Sequence, residues 1–148
     1  MKSPRRRARE FALQGLYQWQ LAGHDTAAIE AHMTQVTGFD KSDPPFFQTL
    51  LRGVVRDADA LRAEIEPYLD RPFGELSPVE RAILLLAAFE LATQIDTPYR
   101  VVLNEAVELA KDYGGTDGYK YVNGVLDKLA PKLRPGEVGE DGPARRRG

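Results

Sequence analysis

Residues Pro4–Ala22, PRRRAREFALQGLYQWQLA, join a block of arginines to a helical apolar pattern without a break. Ser3 stands before the stretch as a cap, and Pro4 suits the first helical position, where its missing N–H costs nothing. At about 100° per residue, Ala8, Phe11, Ala12, Gly15, Leu16 and Trp19 share one stripe, which predicts a helix with one buried side. The opposite side carries Arg6, Arg7, Glu10, Gln14, Tyr17 and Gln18. Guanidinium groups supply charge and planar paired donors, and a tyrosine ring supplies a surface on which a base can stack. That face suits RNA. A basic run alone is a permissive signal, but one continuous with a periodic helix is more than a loose tail.

Outward from this stretch, composition narrows the function classes. The 148 residues suffice for one domain with a core or two small helical units. Net charge is −2 overall, while residues 2–9 alone carry +5, which leaves −7 for the remainder. Such a local positive end suits a small RNA footprint, or a partner that shares the RNA, rather than the wrapping of a long duplex. Cysteine is absent, which excludes disulfides, thiolate metal sites and cysteine nucleophiles and fits a reducing cytoplasm. Glu10, Gln14, Gln18 and Gln20 interrupt any signal-peptide-like run, and the longest apolar run, residues 82–89, is too short to span a bilayer.

Further helices follow in order. Asp25 caps a second one expected to reach about Val36, with Ile29, Met33 and Val36 as its core stripe. Asp43-Pro44 opens a third, to about Glu66, with Phe46, Phe47, Leu50, Leu51, Val54, Val55, Ala58, Leu61 and Ile65 at helical spacing. Pro67 and Pro72 bracket a break. Ser77-Pro78-Val79-Glu80 is a capping box that opens a helix apolar nearly all round, and hence surrounded by others. Thr97-Pro98 opens the next, to Tyr113, with Val102, Ala106, Leu109, Ala110 and Tyr113 buried and Gly114-Gly115 as its stop. Asp117 is expected to cap a last helix, with Tyr119, Val122, Leu126 and Leu129 buried, a close helix contact at Gly124 and an end near Pro131. With no strand alternation, the expected class is all-α: a helical unit over residues 1–70, a second over 71–135, and a disordered tail over 136–148.

Enzyme signatures are missing. Gly114-Gly115 follows a helix, not a strand, so the phosphate-loop context is absent. His24 and His32 lack the i, i+4 spacing of a helical metal pair. Glu105 and Glu108 share a helical face, yet the polar side of an amphipathic helix explains them as solvated residues. No catalytic residue, metal site or cofactor is expected.

The segments RRRAREFALQGLYQWQ, SPVERAILLLAAFEL, PYRVVLNEAVELAKDYG and YVNGVLDKLAP, in this order and spacing, resemble the NusB family of transcription antitermination factors over roughly residues 4–135. The resemblance implies a non-enzymatic protein of two helical subdomains. It implies binding of boxA single-stranded RNA in ribosomal RNA operon leaders, jointly with the ribosomal protein NusE. It also implies assembly with other Nus factors on RNA polymerase in the cytoplasm. Carried over by position, Arg5, Arg6, Arg7 and Arg9 match the family's arginine-rich RNA-binding motif, and Tyr17 matches an aromatic position associated with RNA. Asp117 matches a position linked to RNA binding, Lys120 and Tyr121 lie beside it, and Glu80 matches a position at the NusE interface. Some members form homodimers. Two other roles fit parts of the pattern: an RNA-targeting module of an rRNA methyltransferase, which the length and the lack of cysteine disfavour, and a scaffold whose arginines meet an acidic partner.

Overall fold

The computed structural model describes residues 2–141. Seven α-helices and no strand occur among the described residues: α1 Pro4–Ala22, α2 Thr26–Met33, α3 Pro44–Ile65, α4 Pro78–Thr93, α5 Tyr99–Tyr113, α6 Gly118–Leu133 and α7 Pro135–Asp141. The all-α expectation holds.

Local chemistry sets most of the starts. The Ser3 hydroxyl accepts from Arg6 N at 3.1 Å, Asp25 Oδ1 from Ala28 N at 2.8 Å, and Asp43 Oδ1 from Phe46 N at 3.1 Å. The capping box is complete: Glu80 N donates to Ser77 Oγ at 3.1 Å, and Ser77 N donates back to Glu80 Oε1 at 3.2 Å. Gly23, at φ 70°, ends α1 in a left-handed conformation that favours glycine.

Helix α4 is buried along Ala82 to Leu91 and packs against α1, α3, α5 and α6. Its environment, apolar on every side, matches its sequence. The α3–α4 approach depends on Gly53, where a Cβ would stand only 2.2 Å from the Phe89 ring. A single apolar cluster runs from Phe11, Phe39 and Phe47, whose rings meet edge to face, through Leu84 and Leu86 to Leu126 and Leu129. The break expected between Pro67 and Pro72 falls between α3 and α4, in a loop that holds two short 3-10 turns, Glu66–Tyr68 and Phe73–Glu75.

Several expectations need correction. Helix α2 stops at Met33, with Val36 in the turn that follows. Asp117 makes no side-chain cap; its carboxylate lies 3.5 Å from Lys120 Nζ instead. Gly124 has open space around it and marks no close contact; Gly53 and Gly15 carry that role. Tyr113 is exposed rather than core. Pro131 sits inside α6, in the final turn, where a missing N–H costs one bond rather than the helix.

The expected disorder from residue 136 is corrected through Asp141. Glycine and acidic residues disguise a short helix, α7, which is docked by Val138 in the core and by Glu137. Glu137 accepts from Tyr99 N at 2.8 Å and from Arg134 at 2.7 Å. Arg134 is itself buried and donates to the carbonyls of Glu90, Leu91, Gln94 and Thr97. It thereby supplies a donor to the Leu91 carbonyl in the last turn of α4 and to the Gln94 and Thr97 carbonyls just beyond it, and adds a second donor to the Glu90 carbonyl, which also accepts from Gln94 N. Residues 142–148, with the arginines at 145–147, lie outside the described residues.

Candidate nucleic-acid interface

Five cations crowd the start of α1, and their surroundings divide them. Arg9 is only 5% exposed; its Nε and Nη2 donate to both oxygens of Glu90 on α4 at 2.9 and 2.8 Å. Its guanidinium also lies 5.1 Å from the centre of the Phe46 ring. Arg9 is therefore an interior strut, and its expected place on the RNA face is corrected. Leu13, buried one turn further on, widens the inner arc of α1 so that Arg9 and Glu10 fall inside it.

Arg6 forms a similar two-bond pair with Glu105 on α5, at 2.9 and 2.7 Å, but keeps 34% of its side chain exposed. Glu105, at 13% exposure, also lies 3.6 Å from Arg9 Nη1. It is thus a bridging carboxylate rather than a solvated one. Lys2 pairs with Glu10 at 2.7 Å. Arg5 sits over the Phe46 ring at 4.1 Å, exposed, with Asp43 no nearer than 3.8 Å. The Arg7 guanidinium forms no ion pair among the described residues and is partly open to solvent. Arg5, Arg6 and Arg7 therefore present outward charge, joined by Lys2, which the motif reading missed because it lies before the helix.

Tyr17, 41% exposed, lines a groove of about 360 Å³ with Leu13, Gln14, Gln18, Val79 and Tyr113. Partial burial raises the Tyr113 hydroxyl above its usual range, and the nearby Glu10 charge adds to this. The Lys2–Glu10 pair acts electrostatically on Tyr113, which puts the Tyr113 wall of the groove near these α1 charges. At its other side Val79 leads into Glu80, whose Oε2 faces Gly118 at the start of α6.

Around that start lie the remaining candidates. Asp117 and Lys120 are exposed and pair loosely at 3.5 Å. The Tyr121 hydroxyl donates to Asp70 Oδ1 at 3.0 Å, and Arg71 covers one face of its ring at 4.8 Å. Arg71 grips Asp70 with two bonds, which, with the Tyr121 hydroxyl, holds the Asp70 carboxyl below its usual range. Arg71 is a further cation the sequence did not single out. A lone arginine between prolines carries no pattern; its proximity to Tyr121 arises only when the α3–α4 loop folds beside α6.

This surface offers cations at one end, an apolar and amide-lined groove with two tyrosines in the middle, and an aromatic ring with mixed charge at the other. It can hold phosphates, stack bases and bond their edges. Among the described residues no group of His, Asp and Glu side chains could hold a metal ion. No helix among them is long and apolar enough to cross a membrane.

Comparison with known proteins gives consistent matches. Residues 6–131 match the model of the NusB family. The transcription antitermination protein NusB of Aromatoleum aromaticum is 61% identical over 137 residues, covering 93% of this chain and 94% of its own length. That of Paraburkholderia phymatum is 61% identical over 138 residues, covering 93% and 95%. Among solved structures, T. maritima NusB superposes with a TM-score of 0.80 at 32% identity, over 95% of this chain and 99% of its own. A NusB crystallised with NusE and double-stranded RNA gives 0.78 at 27% identity, over 89% and 99%.

Proposed function

The chain belongs to the NusB family of transcription antitermination factors, which are not enzymes, and from that premise we propose that it binds boxA RNA of ribosomal RNA operon leaders together with NusE. It thereby joins other Nus factors in keeping RNA polymerase processive in the cytoplasm. The observation that carries this reading is the surface from Lys2, Arg5, Arg6 and Arg7, along the Tyr17 groove, to Asp117, Lys120 and Tyr121. Phosphates meet the α1 cations, and bases meet Tyr17 and Tyr121. Asp117 serves as an acceptor for a base amino group or a 2′-hydroxyl. Glu80, beside this track, is assigned to the NusE contact. The relative crystallised with NusE and double-stranded RNA supports a partnership with both.

The test is a titration of a boxA-like single strand against a scrambled strand and a duplex of the same sequence, with and without NusE. Preference for the boxA strand, strengthened by NusE, is expected; equal affinity for all three RNAs rejects sequence reading. Arg6→Ala combined with Arg7→Ala is expected to weaken binding while helical circular dichroism is retained. Each phosphate neutralised should contribute about −0.7 to the log–log salt slope, so a flat response would remove phosphate contact from the account.

A further inference from the structure

Glu105 grips Arg6 as a phosphate would. Nε and Nη2 of Arg6 each donate to one of the two carboxylate oxygens, the paired-donor arrangement that guanidinium groups offer to phosphates as well. While that grip lasts, the donor edge of Arg6 is occupied. We propose that Glu105 is an internal competitor of RNA. It holds Arg6 in the free protein and yields it to a backbone phosphate on binding, so that its carboxylate sets the affinity of the α1 surface. This rests on the RNA-binding reading above.

Two features make the exchange cheap. Arg6 is one-third exposed, so a phosphate can approach its outer edge without opening the core. Glu105 does not become an orphan when Arg6 leaves, because Arg9 Nη1 remains 3.6 Å away. Arg9 cannot make the same move. Its side chain and that of Glu90 are 5% and 3% exposed, and leaving would strand Glu90 in the interior. The four residues thus form a fixed pair and an exchangeable one, joined at Glu105. Arg7, next to Arg6, supplies for first encounter a cation that forms no ion pair among the described residues. Glu108 and Glu10 also face Arg6 and lower its pull on a polyanion, but neither bonds its guanidinium in this structure.

The full chain is titrated with a labelled boxA-like single strand across a salt series, as wild type, Glu105→Gln, Arg6→Gln and the double variant. Glu105→Gln is expected to tighten binding about two- to fivefold, the range of a partly exposed ion pair, with the salt slope of wild type. Arg6→Gln should flatten the slope by about 0.7, one phosphate contact. In the Arg6→Gln background the Glu105 change should alter affinity by clearly less than in the wild type. Weaker or unchanged binding by Glu105→Gln overturns the proposal, as does equal tightening with and without Arg6, or an Arg6→Gln slope equal to wild type. Should the glutamine variant fold poorly, the Arg6 Nε–H resonance of the wild type decides. It should shift as RNA saturates the protein, and a resonance that stays in place at saturation rejects the exchange. Failure of the wild type to bind any of the RNAs rejects the functional reading and this inference together; failure of the variants alone rejects only the inference.

Discussion

At the scale of single residues, neighbours in one motif do different work. Arg9 and Arg7 both stand in RRRARE, but Arg9 is enclosed by Glu90 and Phe46 while Arg7 reaches solvent. Removing one partner of a buried pair leaves the other charge uncompensated, a loss of about 3–5 kcal/mol. Arg9→Ala should therefore lower the denaturation midpoint sharply, whereas Arg7→Ala should change stability by no more than about 0.5 kcal/mol. Chemical denaturation monitored by circular dichroism compares them directly. RNA affinity is expected to follow the reverse order once both are corrected for the folded fraction. The distinction was only half legible in the sequence. Leu13 lies one turn beyond Arg9 and signals a wider buried arc, but nothing local shows that Glu90, far along the chain, turns its carboxylate to meet it.

At the scale of elements, close approach and docking decide what propensity does not. The Phe89 ring is buried against Gly53, so a methyl group there forces α3 and α4 apart or drives the ring off its rotamer. Gly53→Ala should cost about 1–3 kcal/mol from overpacking, which outweighs the gain of about 1 kcal/mol expected from helix propensity alone, and thermal melting gives the sign. Helix α7 offers a pH prediction. Burial works against the charge on Glu137, yet the Tyr99 N–H and the Arg134 guanidinium outweigh it and hold the carboxyl below its usual range. A lowered folded-state value contributes stability above the unfolded value of about 4.3, and that contribution is lost as pH falls through the folded one. Acidification below about pH 4 should therefore loosen α7 before the rest of the fold, seen as faster amide exchange at Tyr99 and along Pro135–Asp141. Exchange that stays uniform with the other helices would contradict this. The caps at Ser3, Asp25, Asp43 and Ser77 were readable because each needs only its own next three residues. Helix α7 was not, because its support comes from Arg134, Tyr99 and the core rather than from its own composition.

At the scale of the whole molecule, one apolar cluster takes residues from α1 through α7, and α4 runs through its middle. Such a shared core predicts a single cooperative thermal transition, with fluorescence and circular dichroism coincident; two separated transitions would mean that the segments 1–70 and 71–135 fold independently. The sequence by itself determined the helical class, most helix boundaries, the central place of α4 and the concentration of positive charge at one end. These follow from periodicity, capping and composition, which act over a few residues. Only the tertiary structure decided which arginines face outward, which carboxylates hold them, that Tyr17 and Tyr113 line one groove, and that Glu80 faces Gly118 while Tyr121 meets Asp70 and Arg71. Those facts depend on side chains brought together from distant helices, where burial and charge pairing are properties of the packed assembly rather than of any local stretch.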